Sequence, residues 1–138
     1  MRPESRMEAL ADAAVEALER LADEILATGV SVAVTAGPES VSAPVRVSVP
    51  GADDTTVVLG HVALTRCTVE LGGIRGDGVR AGYDPAGAVA AAICDAECER
   101  VGPLAPHVEE LCRLAQDARA EHGRERAQVV AMTRLDQS

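Results

Sequence analysis

No phenylalanine and no tryptophan occur in these 138 residues, and Tyr83 is the sole aromatic. That absence constrains the fold more than any motif does. A core must be assembled from Ala, Val and Leu, each offering little apolar area at about 25 cal/mol per Å². Helices and strands must therefore approach closely. A chain of this length buries roughly 68–70% of its unfolded surface, so one domain spanning residues 1–138 is expected. The thin core also admits completion by a partner surface, a second copy of the chain included.

The apolar spacing divides the chain into an α+β order. Met7, Leu10, Ala14, Leu18, Leu21 and Ile25 recur at steps of three and four, which predicts one helix over 4–27. Gly29 stands at the usual capping place beyond it. Residues 30–84 read as an antiparallel sheet of about four strands. "VSVAVTA" (30–36) is the first, and "GPES" (37–40) reads as a turn. In "VSAPVRVSV" (41–49) apolar and polar residues alternate, the period of a half-buried strand, and Pro44 suits an edge. "PGADD" (50–54) reads as another turn.

"LGHVALTRCTVEL" (59–71) is the longest strand candidate. Its first half reads as buried on both faces, and its second half, with Arg66, Thr68 and Glu70 on one side, as buried on one. Gly60 hints at a bulge. "GGIRGDG" (72–78) reads as a glycine-rich turn and "VRAGYD" (79–84) as the returning strand. The period then changes. Asp84 is a natural N-cap and Pro85 suits the first turn of a helix over 85–102. A second helix follows over 107–123, making a helix pair within 85–123. Residues 124–138 read as a tail, a terminal strand or an arm. Strands and helices do not alternate, so a parallel doubly wound fold is excluded.

The net charge of −9, with 22 acidic against 13 basic residues, argues against nucleic acid as a main partner. No run approaches the ~18 apolar residues of a membrane span. "MRPESRMEAL" lacks a continuous apolar signal core, and the expected location is cytoplasmic. A disulfide framework among Cys67, Cys94, Cys98 and Cys112 is not expected there.

Few constellations suggest chemistry. Cys94 and Cys98 lie one helical turn apart, with His107 and Cys112 beyond. Structural zinc needs a second ligand pair at similar spacing, so packing is the preferred reading. The glycine-rich stretch fits neither a phosphate loop nor a dinucleotide fingerprint. Arg66, Arg75 and Arg80 are candidates to converge on one side of the hairpin, where guanidinium forks suit phosphate or carboxylate groups. No nucleophile, base or metal set assembles, which favours a subunit or binding module over a stand-alone enzyme.

Three stretches together resemble one family. They are "LGHVALTRCTVEL"; "GDGVRAGYDPAGAVAAAICDA" (76–96), through Gly76, Gly82, Asp84, Ala88, Ala92, Asp95 and Ala96; and "AMTRLDQS" (131–138), through Met132, Arg134 and Asp136. "EALADA" (8–13) is similar to the same family's opening helix. The family is the G subunit of the bacterial carbon–phosphorus lyase system. The chain departs from its pattern at Asp77 and Ala131, where aromatics are usual, and at Leu135, where glycine is.

The resemblance implies an accessory subunit of a cytoplasmic complex with H, I and J partners and an ATP-binding-cassette-type subunit. The complex uses ATP, while this chain itself is expected to bind no cofactor or metal. Its implied task is to support formation of α-D-ribose 1-methylphosphonate 5-triphosphate from methylphosphonate with release of adenine. The place of the motifs marks Thr65, Arg66, Asp84, Arg134 and Asp136 as partner-interface residues. The alternative is a stand-alone small-molecule-binding or oligomeric interaction domain of the same fold.

Overall fold

The computed structural model describes the backbone of residues 1–48 and 56–136, and side chains over 1–44, 58 and 60–123. The fold is α+β: helices α1 (Pro3–Asp12) and α2 (Val15–Ala27), strands β1 (Val32–Ser48), β2 (Thr56–Leu71) and β3 (Ile74–Ala81), then helices α3 (Pro85–Glu99) and α4 (Ala105–Asp136). Among the described residues the sheet is three-stranded and antiparallel, in the order β1–β2–β3.

Helix α3 solves the problem set by the missing aromatics. It lies against β2 and β3, while α2 and α4 pack on its other sides. It is therefore buried almost all round, and alanine is the residue that permits this. The closest approach is to β3. A Cβ on Gly78 would stand 2.4 Å from the Ala88 carbonyl and the Ala92 nitrogen; one on Gly76 would stand 2.3 Å from the Ala92 carbonyl and 2.5 Å from the Ala96 Cβ. Strand and helix backbones are thus in direct contact. Cys67, Val69 and Leu71 on β2 join Leu10, Leu18, Ile25, Ala92, Val108 and Cys112 in a single buried cluster.

Several expectations are corrected. The helix expected over 4–27 is two helices, with Ala13 and Ala14 extended between them. No glycine or proline marks the break. The Arg80 guanidinium, reaching from β3, donates through Nη1 to the carbonyls of Leu10 (2.9 Å), Ala11 (3.0 Å) and Ala13 (2.7 Å). It satisfies the carbonyls that a helix end leaves over.

The sheet has three strands rather than about four, because β1 runs through residues 37–40 instead of turning there. Two register shifts absorb the irregularity, between Val34 and Ala36 and between Ala36 and Glu39. Gly37 has φ +76°, and a Cβ there would lie 2.5 Å from the Arg66 carbonyl, so glycine is required. The β2–β3 turn is Gly72–Gly73 alone, and Gly76 and Gly78 belong to β3. The turn expected over 50–54 lies outside the described residues. At the C-terminus, α4 continues as helix to Asp136 where a strand or arm was expected.

The first half of β2 is not buried on both faces. Val58 and Val62 are 52% and 45% exposed, because β3 pairs with β2 only as far as Leu64. Beyond that point β1 and β2 project as a two-stranded ribbon.

Candidate functional site

Period two along β2 divides its paired segment into two environments. Thr65, Cys67, Val69 and Leu71 face α3 and are buried, whereas Arg66 and Glu70 lie exposed on the outer face. The same alternation on β3 sends Gly76 and Gly78 inward and brings Arg75, Asp77 and Val79 to the outer face.

The outer face carries paired charges. Glu39 stands directly opposite Arg66 across β1–β2, and the Arg66 Nε donates to the Glu39 Oε1 at 2.7 Å. Thr68 stands opposite Asp77 and donates to its Oδ1 at 2.7 Å. Arg75 reaches the same carboxylate at 3.2 Å. Met7 of α1 joins Arg66, Thr68, Arg75, Asp77 and Val79 around a groove of about 360 Å³. A neighbouring groove of about 530 Å³, sharing Met7, Arg75, Asp77 and Val79, continues along α1 past Ala11. Arg66 and Arg75 therefore share one face. Arg80 does not join them, being drawn to the end of α1, so the three-arginine convergence is corrected to two.

The Arg66–Glu39 pair is open to water, with side chains 61% and 48% exposed. Such pairs contribute about 0–1 kcal/mol. A carboxylate or phosphate from another molecule can replace Glu39 at little cost.

The inner polar groups behave differently, because each is held by internal partners. Thr65, 1% exposed, donates to the Gly82 carbonyl at 2.6 Å and accepts the Asp84 N–H at 3.0 Å. Asp84 accepts from the Gly87 N–H at 3.0 Å as the N-cap of α3, and from the Arg80 Nε at 3.1 Å. Thr65 thus ties β2 to the start of α3 from inside the chain. Asp95 accepts from the Arg6 Nε at 2.7 Å and from the Asp77 N–H at 2.9 Å, and Arg6 also pairs with Glu99. Burial lowers the Arg6 pKa, but the hydrogen bond and charge of Asp95 outweigh it, so the pKa is raised. Glu97, fully buried, accepts from the Arg100 Nε at 2.6 Å and the Leu104 N–H at 3.0 Å.

The three thiols around α3 are all free. Burial pushes Cys98 and Cys112 up to about 11 and raises Cys94 as well, so each is protonated at neutral pH and a poor nucleophile. Among the described residues no group of three His, Cys, Asp or Glu side chains is arranged to hold a metal ion. Nor is any helix there long and apolar enough to cross a membrane.

A family model described as phosphonate metabolism protein PhnG matches residues 2–138. The chain belongs to the PhnG family. No curated protein matches it. Membership gives the chain a role in phosphonate metabolism, and the match spans all three stretches that carry the resemblance in the sequence. Of the five residues those stretches mark in this PhnG-family chain, Arg66 alone is described as exposed; Thr65 and Asp84 lie together beneath it. Arg134 and Asp136 fall on the backbone of α4, with side chains outside the described residues.

Sequence reasoning missed Glu39, because reading 37–40 as a turn hid its place opposite Arg66. It also missed Arg6 and Glu97, and the partners of Arg80, which lie across the fold or beyond a helix end, where local spacing carries no signal.

Proposed function

We propose that this chain is a non-catalytic subunit of the carbon–phosphorus lyase core complex. In that role it supports ATP-dependent conversion of methylphosphonate to α-D-ribose 1-methylphosphonate 5-triphosphate with release of adenine, the chemistry residing on partner subunits. The family match over residues 2–138 carries the reading. Two structural observations support it. The polar groups that resemble reactive ones, Thr65, Asp84, Asp95 and Glu97, are engaged in holding α3 in place. The outer face, by contrast, presents Arg66 and Arg75 beside an open groove. In this account Arg66 exchanges Glu39 for an acidic group of the I subunit, while Arg134 and Asp136 form a second contact on α4. H, I and J subunits are the partners, with an ATP-binding-cassette-type subunit joining them.

Co-purification with a tagged I subunit tests this. Arg66→Ala and Arg134→Ala should each reduce recovery of the chain while its circular dichroism and melting temperature stay unchanged. Undiminished recovery with both variants would reject the assigned contacts. A second reading, small-molecule binding, draws on the apolar groove of about 530 Å³ along α1, where Met7 and Val79 meet Arg75. Because Glu4, Glu8, Asp77, Asp95 and Glu99 also line this groove, it predicts saturable binding of a small apolar cation by the isolated chain, weakened in Glu8→Gln.

A further inference from the structure

The two edges of the sheet are unlike. Among the described residues β1 is an edge strand along its whole length, and it is guarded. It carries Pro38 and Pro44 and is broken by register shifts at Val34–Ala36 and Ala36–Glu39. Prolines and bulges are the ordinary devices that prevent strand addition. The other edge belongs to β3 only along Leu64–Leu71 of β2. Among the described residues, the stub Thr56–Ala63 has no neighbour on that side. The vacant slot is roughly 27 Å long at ~3.4 Å per residue.

This stub lacks the prolines that guard β1. Its sequence, "TVVLGHVA", contains no proline and no Asp, Glu, Lys or Arg. Its one bulge, at Leu59, leaves Gly60–Ala63 regular. The Ala63 carbonyl accepts the Gly82 N–H at 2.9 Å, so it faces the β3 side. Backbone groups alternate along a strand, so the N–H and C=O of His61 face the same open side. The opposite residue is Pro44, whose missing N–H falls on the guarded edge. At the mouth of the slot Gly82, with φ +72°, turns the chain into α3 and leaves Tyr83 83% exposed.

We propose that the vacant β2 edge, Thr56–Ala63, is the docking site for the same edge of a second copy of this chain. Antiparallel pairing about a two-fold axis makes each stub fill the other's slot, and their equal lengths follow from the symmetry. Charge points to the same occupant. Each chain carries −9, yet the segment where the copies meet has no formal charge to oppose its twin. Pairing converts two projecting two-stranded ribbons, each marginal alone, into a four-stranded β1–β2–β2–β1 band. This pairing holds or fails independently of the phosphonate role.

The test uses the full-length chain. Multi-angle light scattering should give twice the 14.3 kDa chain mass. His61→Pro removes an outward N–H without touching the β1–β2 ladder. It should return the mass to that of one chain with circular dichroism unchanged. Should the variant misfold, amide hydrogen exchange of the wild-type protein decides. The outward amides of His61 and Ala63 should be protected at high concentration and lose that protection on dilution, whereas amides in 64–71 should not change. A single-chain mass at every concentration overturns the proposal. So does a dimer whose His61 and Ala63 amides exchange freely, or protection of that stub only by a different polypeptide.

Discussion

Gly78→Ala places one methyl group where β3 meets α3. The new Cβ would lie 2.4 Å from both the Ala88 carbonyl oxygen and the Ala92 nitrogen, and 2.9 Å from the Ala91 Cβ. Ordinary contact begins near 3.4 Å, so strand and helix must part by about 1 Å. Overpacking usually costs about 1–3 kcal/mol, lessened where side chains can rotate aside. Two of these three contacts are backbone atoms, which cannot, so the upper end, about 3 kcal/mol, applies. For a chain of this size that lowers the melting temperature by roughly 10 °C. Gly60→Ala is the matched control, since no atom lies within 4 Å of its Cβ position, and it should change stability by less than about 0.5 kcal/mol. Thermal melts followed by far-ultraviolet circular dichroism read both. A Gly78→Ala melt within about 2 °C of wild type would refute the claim that direct backbone contact between β3 and α3 replaces the missing aromatic core.

Three further outcomes follow from the geometry. Val101 sits at φ +54° just past α3, where the Gly102 N–H bonds the Glu97 carbonyl at 2.9 Å and the Val101 N–H bonds the Cys98 carbonyl at 3.1 Å. A β-branched residue is strained there, so Val101→Gly should stabilise by about 1 kcal/mol in urea denaturation. Glu97→Ala should destabilise by about 1–3 kcal/mol in the same assay, because the half-buried Leu104 N–H loses its acceptor. Cys98 and Cys112 titrate near 11 in the fold and near 9.0 when unfolded, so their stabilising effect is complete below pH 9. It declines as the pH rises from 9 to 11, because the unfolded thiols ionise first. A pH series of denaturation midpoints should show that fall, and replacing both cysteines by alanine should lessen it, the raised thiols of Cys94 and Cys67 keeping the rest.

Local chemistry was the legible part of this fold. Asp84 before Pro85 announces a helix start, and the change from period two to an alanine-rich run announces α3 itself. Arg66 on an outer face follows from alternation with Cys67 and Val69. The same alternation puts Thr65 inside, a consequence obscured by treating adjacent motif residues as one surface. What local patterns could not reveal were effects imposed from afar. The break between α1 and α2 is made by Arg80, some 70 residues away. β1 passes through Gly37 because the Arg66 carbonyl, on the neighbouring strand, accepts a glycine there and nothing larger. Gly76 and Gly78 resemble turn residues until the helix they admit is in view.

Adenine release from ATP and methylphosphonate tests the central claim most directly, measured with this chain alone, with the I subunit alone, and with both present alongside their ATP-binding-cassette-type partner. The account predicts no release by this chain alone and faster release when it is added to the I subunit. Turnover by the isolated chain, or a rate indifferent to its addition, would contradict it.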